Sequence, residues 1–165
     1  MTPLERINII RKWILEYVES MDKPANCLVV GISGGVDSAV VSTICAMTGM
    51  KTLVSSMPIS QRPEHHDLSI KHKNWITTKY SNCYGVEIDL THTFLSFENQ
   101  MVDMKFKDEM GLANSRARMR MMCLYQLSAS TSGIVVGTGN KIEDFGVGFY
   151  TKYGDGGVDI SPIAD

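Results

Sequence analysis

A chain of 165 residues fits one domain and can bury about two-thirds of its unfolded surface. Apolar residues at 44% and charged residues at 21% exclude a disordered or fibrous chain, and a net charge of −2 offers no footprint for nucleic acid. No apolar run approaches the roughly twenty residues that span a bilayer, and Glu5, Arg6, Arg11, Lys12 and Glu16 interrupt any secretory leader, so no membrane partner is expected. Cys27, Cys45, Cys83 and Cys123 stand apart from one another without a CxxC pair, which reads as reduced thiols in a cytoplasmic protein.

In chain order, Thr2, Pro3 and Glu5 form a helix start: a capping hydroxyl, a proline for the first turn and the acid of a capping box. Leu4, Ile7, Ile10, Ile14, Tyr17 and Val18 then recur at helical spacing as far as Ser20. Residues 27–38 read CLVVGISGGVDS. A β-branched, apolar strand stops at a glycine turn, and a helix over 37–47 begins at once. Backbone N–H groups at a helix start lack internal partners and carry the positive end of the macrodipole, so this turn is an anion site. Gly34 and Gly35 permit close approach of a phosphate, Ser33 and Ser38 add hydroxyl donors, and Asp37 supplies a carboxylate for a cation held with the phosphates.

A second strand is predicted over 51–57, ended by Pro58, and a polar loop over 59–66 leads into a helix that reaches Tyr80. His65, His66 and His72 lie in that stretch; without an HExxH pattern or partner cysteines they read as a solvated helix face. A third strand is predicted over 84–90, a helix over 91–107, and a long helix over 112–130. The long helix carries Arg116, Arg118 and Arg120; residues two apart diverge, so one arginine can reach a ligand while others face solvent or acids. A fourth strand is predicted over 133–138. The glycine-rich stretch from 137 to 165, GTGNKIEDFGVGFYTKYGDGGVDISPIAD, reads as a binding loop without a regular element. Strands alternating with helices predict an α/β fold, a parallel sheet with helices on both faces. Ligands of such sheets sit beyond the carboxyl ends of the strands, where both SGGVDS and GTGNKIED fall.

SGGVDS resembles the phosphate loop of the N-type ATP pyrophosphatases, a class shared by GMP, argininosuccinate and asparagine synthetases and tRNA-modifying enzymes. RARMRMMCLYQ, GTGNKIED and FYTKYGDGGVDISPIAD narrow the resemblance to the NAD synthetase family, over most of the chain from Cys27 onward. The resemblance implies the Rossmann-like, three-layer fold of that class and a two-step ligation. Deamido-NAD and ATP give an adenylate and pyrophosphate, and ammonia then displaces AMP to leave NAD. It also implies ATP contacts at Gly31, Ile32, Ser33, Gly34, Gly35, Val36, Asp37, Ser38, Met57 and Thr138, with Met57 touching adenine through its backbone. Mg²⁺ falls to Asp37 and Glu143, deamido-NAD to Arg118, Lys152 and Asp159, and catalytic roles to Asp37 and, for ammonium, Asp155.

Between Glu143 and Lys152 the chain carries one residue more than the commonest family pattern, which Gly146 and Gly148 are expected to absorb as a bulge. The family continues beyond the position matching Asp165, so a single domain over 1–165 is expected to lack that segment, to bind ATP poorly and to turn over little. The roughly 25 residues ahead of the first strand leave no room for a glutaminase domain, which points to ammonia as nitrogen donor. A homodimer is implied, with the N-terminal helix and the Arg118 helix as candidate interface. The alternatives are a GMP-synthetase-like amidotransferase of the same class, or an inactive nucleotide-binding fragment.

Overall fold

The structure, a computed structural model, describes residues 1–61 and 63–164, with the side chains of Pro63, His65 and Phe145 outside that description. Four strands, β1 (Leu28–Gly31), β2 (Thr52–Ser56), β3 (Cys83–Glu87) and β4 (Ile134–Val135), form one sheet in the order β3-β2-β1-β4. Every pair is parallel, with Leu28 opposite both Thr52 and Ile134. Parallel strands buried on both faces need apolar residues at consecutive positions, and Leu28, Val29 and Val30 are all fully buried.

Side-chain alternation along β1 divides the core into two layers. Leu28 and Val30 pack with Val41 and Ile44 of α2 (Val36–Met47) and with Ile14 and Val18 of α1 (Pro3–Ser20). On the same face Ile32, Ala46 and Val54 meet Ile76 of α3 (Pro63–Lys79). On the opposite face Val29, Leu53 and Val135 pack with Phe94 of α4 (Thr91–Asp103) and with Met121 and Leu124 of α5 (Glu109–Thr131). Each such fully buried aliphatic chain contributes about 1.5–3 kcal/mol of transfer free energy. The chain steps from β1 to β2 to β3 with α2 and α3 on one face, then returns past β1 to β4 with α4 and α5 on the other. Right-handed crossovers require this change of face when the direction across the sheet reverses.

The predicted cap of α1 is present: Thr2 Oγ1 accepts from Glu5 N–H at 3.2 Å and Glu5 Oε2 from Thr2 N–H at 2.7 Å. Other boundaries move. The third strand is Cys83–Glu87 instead of 84–90, because its partner β2 runs into Pro58, which has no N–H to give. The fourth is cut from 133–138 to Ile134–Val135, after which Val136 bridges Ile160 at the outer edge. The helix predicted over 91–107 stops at Asp103, where Lys105 turns back at φ +65°. The long helix starts earlier than 112, at Glu109, where the Asp108 carboxylate accepts from Gly111 N–H at 2.6 Å. Part of 59–66, predicted as loop, already belongs to α3. The last stretch, predicted without regular structure, contains a π-helical segment, Ile142–Val147, closed by Gly148 at φ +72°. A π-helical turn carries an extra residue relative to an α-helical one.

The histidines are not a solvated face. His66 Nε2 lies 3.4 Å from Glu87 Oε1, and His72 Nε2 lies 2.8 Å from the fully buried Ser42 Oγ. The reason is that α3 lies flat on β2 and β3, so its polar stripe meets α2 and the β3 edge instead of water. His65, the third of the group, falls outside the described side chains.

Candidate active site

At β1 the chain goes one way to β2 and the other way to β4, so a crevice opens beyond their carboxyl ends. The SGGVDS turn forms one wall. Gly34 holds φ +90°, a conformation that a side chain at this position would strain. The N-cap of α2 is Gly35, which supplies no side-chain acceptor, so the first-turn N–H groups of the helix stay available to an anion. Ser38, expected as a hydroxyl donor, has its hydroxyl engaged within the turn. It is buried, and its hydroxyl accepts from Ser33 N–H at 3.2 Å and donates to Gly35 C=O at 3.0 Å. Its work is to hold the shape of the turn, while Ser33 is exposed at its rim.

The opposite wall comes from the GTGNKIED stretch, and Asn140 joins the two. Its Nδ2 donates to Asp37 Oδ2 at 3.2 Å, while its Oδ1 accepts from Ile142 N–H at 3.0 Å and Glu143 N–H at 3.1 Å. One amide thus fixes the Asp37 carboxylate and the start of the π-helical segment that carries Glu143. Between the walls lies a cavity of about 280 Å³, bounded by Gly31, Ile32 and Ser33, by Met57, by Val136 and Thr138, and by Asp155 at its rim. A Cβ on Gly31 would press against Leu124 at 3.3 Å and Met57 at 3.4 Å, so a larger residue at the strand end would crowd the cavity floor and make these side chains shift.

Six of the predicted site residues therefore line one cavity: Gly31, Ile32, Ser33, Met57, Thr138 and Asp155. Gly34, Gly35, Val36, Asp37 and Ser38 continue the turn from Ser33 without lining the cavity, and Glu143 is exposed beyond Asn140. The three residues expected at the dinucleotide do not line it. Arg118 Nε donates to Lys152 C=O at 3.0 Å, and both side chains are exposed outside the cavity. Asp159 accepts from Val135 N–H at 2.7 Å and from Tyr125 Oη–H at 3.2 Å, tying the tail to β4 and α5. Burial and that neighbouring carboxylate push the Tyr125 phenol up to about 12.

Sequence reasoning missed three residues. Asn140 sits inside a quoted block but has no titratable group to draw notice. Arg120, partly buried on α5, lines the cavity and donates from Nε to Met57 C=O at 2.9 Å; its signal was the arginine spacing on the helix. Asp144 packs against Gly139, where a Cβ would overlap its carboxylate, and burial together with Asp155 and Glu143 raises its pKa. Among the described residues no group of three His, Cys, Asp or Glu is preassembled for a metal. Asp37 and Glu143 offer hard carboxylate oxygens, a donor set that suits Mg²⁺ completed by substrate phosphates.

A family model for NAD synthase matches residues 6–165. The chain belongs to the NAD synthase family. The NH3-dependent NAD+ synthetase of Mesoplasma florum is 35% identical over 156 residues, covering 92% of this chain and 61% of the relative. The protein of the same description from Saccharolobus solfataricus is 37% identical over 158 residues, covering 96% and 54%. The chain thus spans little more than half the length of these NAD synthase relatives. Among solved structures, an NMN synthetase from Francisella tularensis superposes with a TM-score of 0.86 at 28% identity, covering 100% of this chain and 66% of that one. An NH3-dependent NAD synthetase from Campylobacter jejuni, in complex with the nitrate ion, gives 0.86 at 27%, covering 100% and 68%.

Proposed function

We propose that this chain is the catalytic core of an ammonia-dependent NAD+ synthetase, a ligase that makes NAD from deamido-NAD, ATP and ammonia. The observation that supports this best is the hydrogen bond from Asn140 to Asp37, which joins the SGGVDS and GTGNKIED segments, both of which contribute residues to one cavity at the switch point of the sheet. The family match and the relatives' names agree with it.

The nicotinate carboxylate of deamido-NAD attacks the α-phosphorus of ATP, the bond to pyrophosphate breaks, and an acyl adenylate forms. Ammonia then attacks the acyl carbon, AMP leaves, and the amide remains after loss of protons from nitrogen. The chain's part in this is placement and charge compensation more than covalent chemistry. The uncapped start of α2 and Gly34 cradle phosphates, with Gly31, Ile32, Ser33, Gly35, Val36 and Ser38 shaping the cradle. Met57 and Thr138 contact the nucleotide from the cavity walls. Asp37 and Glu143 would hold Mg²⁺, which when bound would offset charge on the triphosphate. Asp155, a carboxylate at the cavity rim whose Oδ1 accepts from Thr151 N–H at 3.0 Å, attracts and orients ammonium. Arg118, Lys152 and Asp159 bind the dinucleotide on the exposed flank of the cavity. Residues 1–165 act as one domain in a cytoplasmic homodimer; the free cysteines fit a reducing compartment. No helix among the described residues is long and apolar enough to cross a membrane.

A coupled assay for NAD from deamido-NAD and ATP tests the reading, with ammonium or glutamine as donor. Nicotinate mononucleotide replaces the dinucleotide in a parallel arm, because one neighbour is an NMN synthetase. Ammonium with deamido-NAD is expected to support turnover, and Asp37→Ala to abolish AMP release. Turnover with glutamine alone, with the mononucleotide alone, or an undiminished Asp37→Ala rate overturns the respective assignment.

A further inference from the structure

The three arginines of α5 end in different surroundings. The Arg116 guanidinium lies 5.0 Å from the centroid of the Phe94 ring, and Arg118 reaches the backbone of Lys152 in solvent. Arg120 points into the cavity beside Met57, Thr138 and Ser33. Its Nε is anchored on Met57 C=O at 2.9 Å, which fixes the plane of the guanidinium and leaves the NH₂ edges of the fork to the cavity. Among the described residues no carboxylate forms an ion pair with it. Burial is the main penalty on its charge, and a neighbouring cation, Arg116, adds to it. A desolvated, permanently charged group with no counter-ion is an expensive arrangement for a folded chain. It becomes favourable when a ligand brings the missing charge.

We propose that Arg120 is the counter-ion of a phosphoryl group bound in the cavity, gripping its oxygens with the free edges of the fork while Met57 holds the ring of donors in place. This rests on the reading of the cavity as a nucleotide site and extends it to a residue outside the recognised motifs' assigned roles. The shared chemistry is a phosphoryl oxyanion, which either a nucleotide's α-phosphoryl group or free pyrophosphate supplies. A planar fork anchored at one edge suits bidentate contact with such a group better than a point charge would.

The test uses the full chain with calorimetric titration and thermal melting, in wild type, Arg120→Met and Arg120→Lys, against adenosine, AMP and inorganic pyrophosphate. Methionine keeps the apolar stem and removes the cation, so the ligand-free Arg120→Met protein is expected to melt at or above the wild-type temperature. Its affinity for AMP or pyrophosphate is expected to fall by about 10–100-fold, with adenosine binding unchanged. Selective loss of AMP assigns the group to the nucleotide, and selective loss of pyrophosphate assigns it to the leaving group; either supports the proposal. Arg120→Lys, which retains charge without the fork, is expected to fall between and serves as the reading if Arg120→Met does not fold. Equal affinities in wild type and variants, or a loss that includes adenosine to the same degree, overturn it and leave Arg120 as a pin for the Met57 loop. Wild-type protein that binds none of the three overturns the nucleotide site itself.

Discussion

Asn140 accepts two backbone N–H bonds with its oxygen and donates to Asp37 with its nitrogen, so a neutral side chain ties the Asp37 carboxylate to the backbone at Glu143, the two residues proposed for Mg²⁺. Groups that orient metal-binding carboxylates typically matter by about 10–100-fold. Asn140→Ala is therefore expected to lower kcat in the coupled NAD assay by that factor while the melting temperature stays near wild type; an unchanged kcat would refute the assignment. The same scale shows what a sequence hides. Asp37, Thr138 and Asp155 stand out in the sequence because their blocks are distinctive; Thr138 and Asp155 line one cavity, and Asp37 is tied to Asn140, two residues after Thr138. Whether Arg116, Arg118 or Arg120 enters the cavity depends on a rotation of α5 about its axis, which no local pattern encodes. Asp159, proposed above for the dinucleotide, also accepts a protein hydrogen bond on each oxygen, a structural tie that arises because the returning tail brings it against the edge of β4.

At the scale of elements, α3 carries the sharpest difference between pattern and outcome. Its histidines looked like surface residues, and its sparse apolar positions gave no reason to expect a buried contact. In the fold His72 reaches across to Ser42 of α2, whose hydroxyl donates to Ser38 C=O at 2.7 Å, so the two helices are joined just behind the phosphate loop. Trp75, with its ring centroid 5.5 Å from that of His72, and the apolar Ile7, Val40 and Met47 surround the same groove. Burial lowers the His72 pKa from its ordinary 6.5. Below pH 6.5 the unfolded chain therefore binds a proton at this position that the folded chain resists, and stability falls as pH drops through that window. Urea melts at pH 8 and pH 5.5 should show a larger loss for wild type than for His72→Gln; parallel losses would show that His72 does not contribute. The helix of GTGNKIED tells a related story: glycine density argued against regular structure, but Asn140 starts a π-helical segment and Gly148 ends it.

For the whole molecule, α1 exposes Leu4, Ile9, Trp13 and Tyr17, and α5 exposes Met110 and Met122, on the two helices proposed for the subunit interface. Sedimentation is expected to give twice the chain mass, and a fully active monomer would contradict the homodimer. The order of strands and helices, their parallel arrangement and the edge that carries the site were all determined by sequence alone. Apolar β-branched runs bounded by glycine or proline, alternating with helical periods, permit few other layouts once crossovers are right-handed. Strand ends, by contrast, were decided by partners far along the chain: β3 stops where β2 meets Pro58, and beyond β4 Val136 keeps one hydrogen bond to Val29 of β1 while bridging Ile160 on its other side. The tertiary structure alone decided that Asn140 clasps Asp37 across 103 positions and that Arg120 lines the cavity with no ion-pair partner among the described residues. Hydrogen bonds and burial depend on distances in space, and residues remote in sequence acquire those distances only when the sheet closes its crevice.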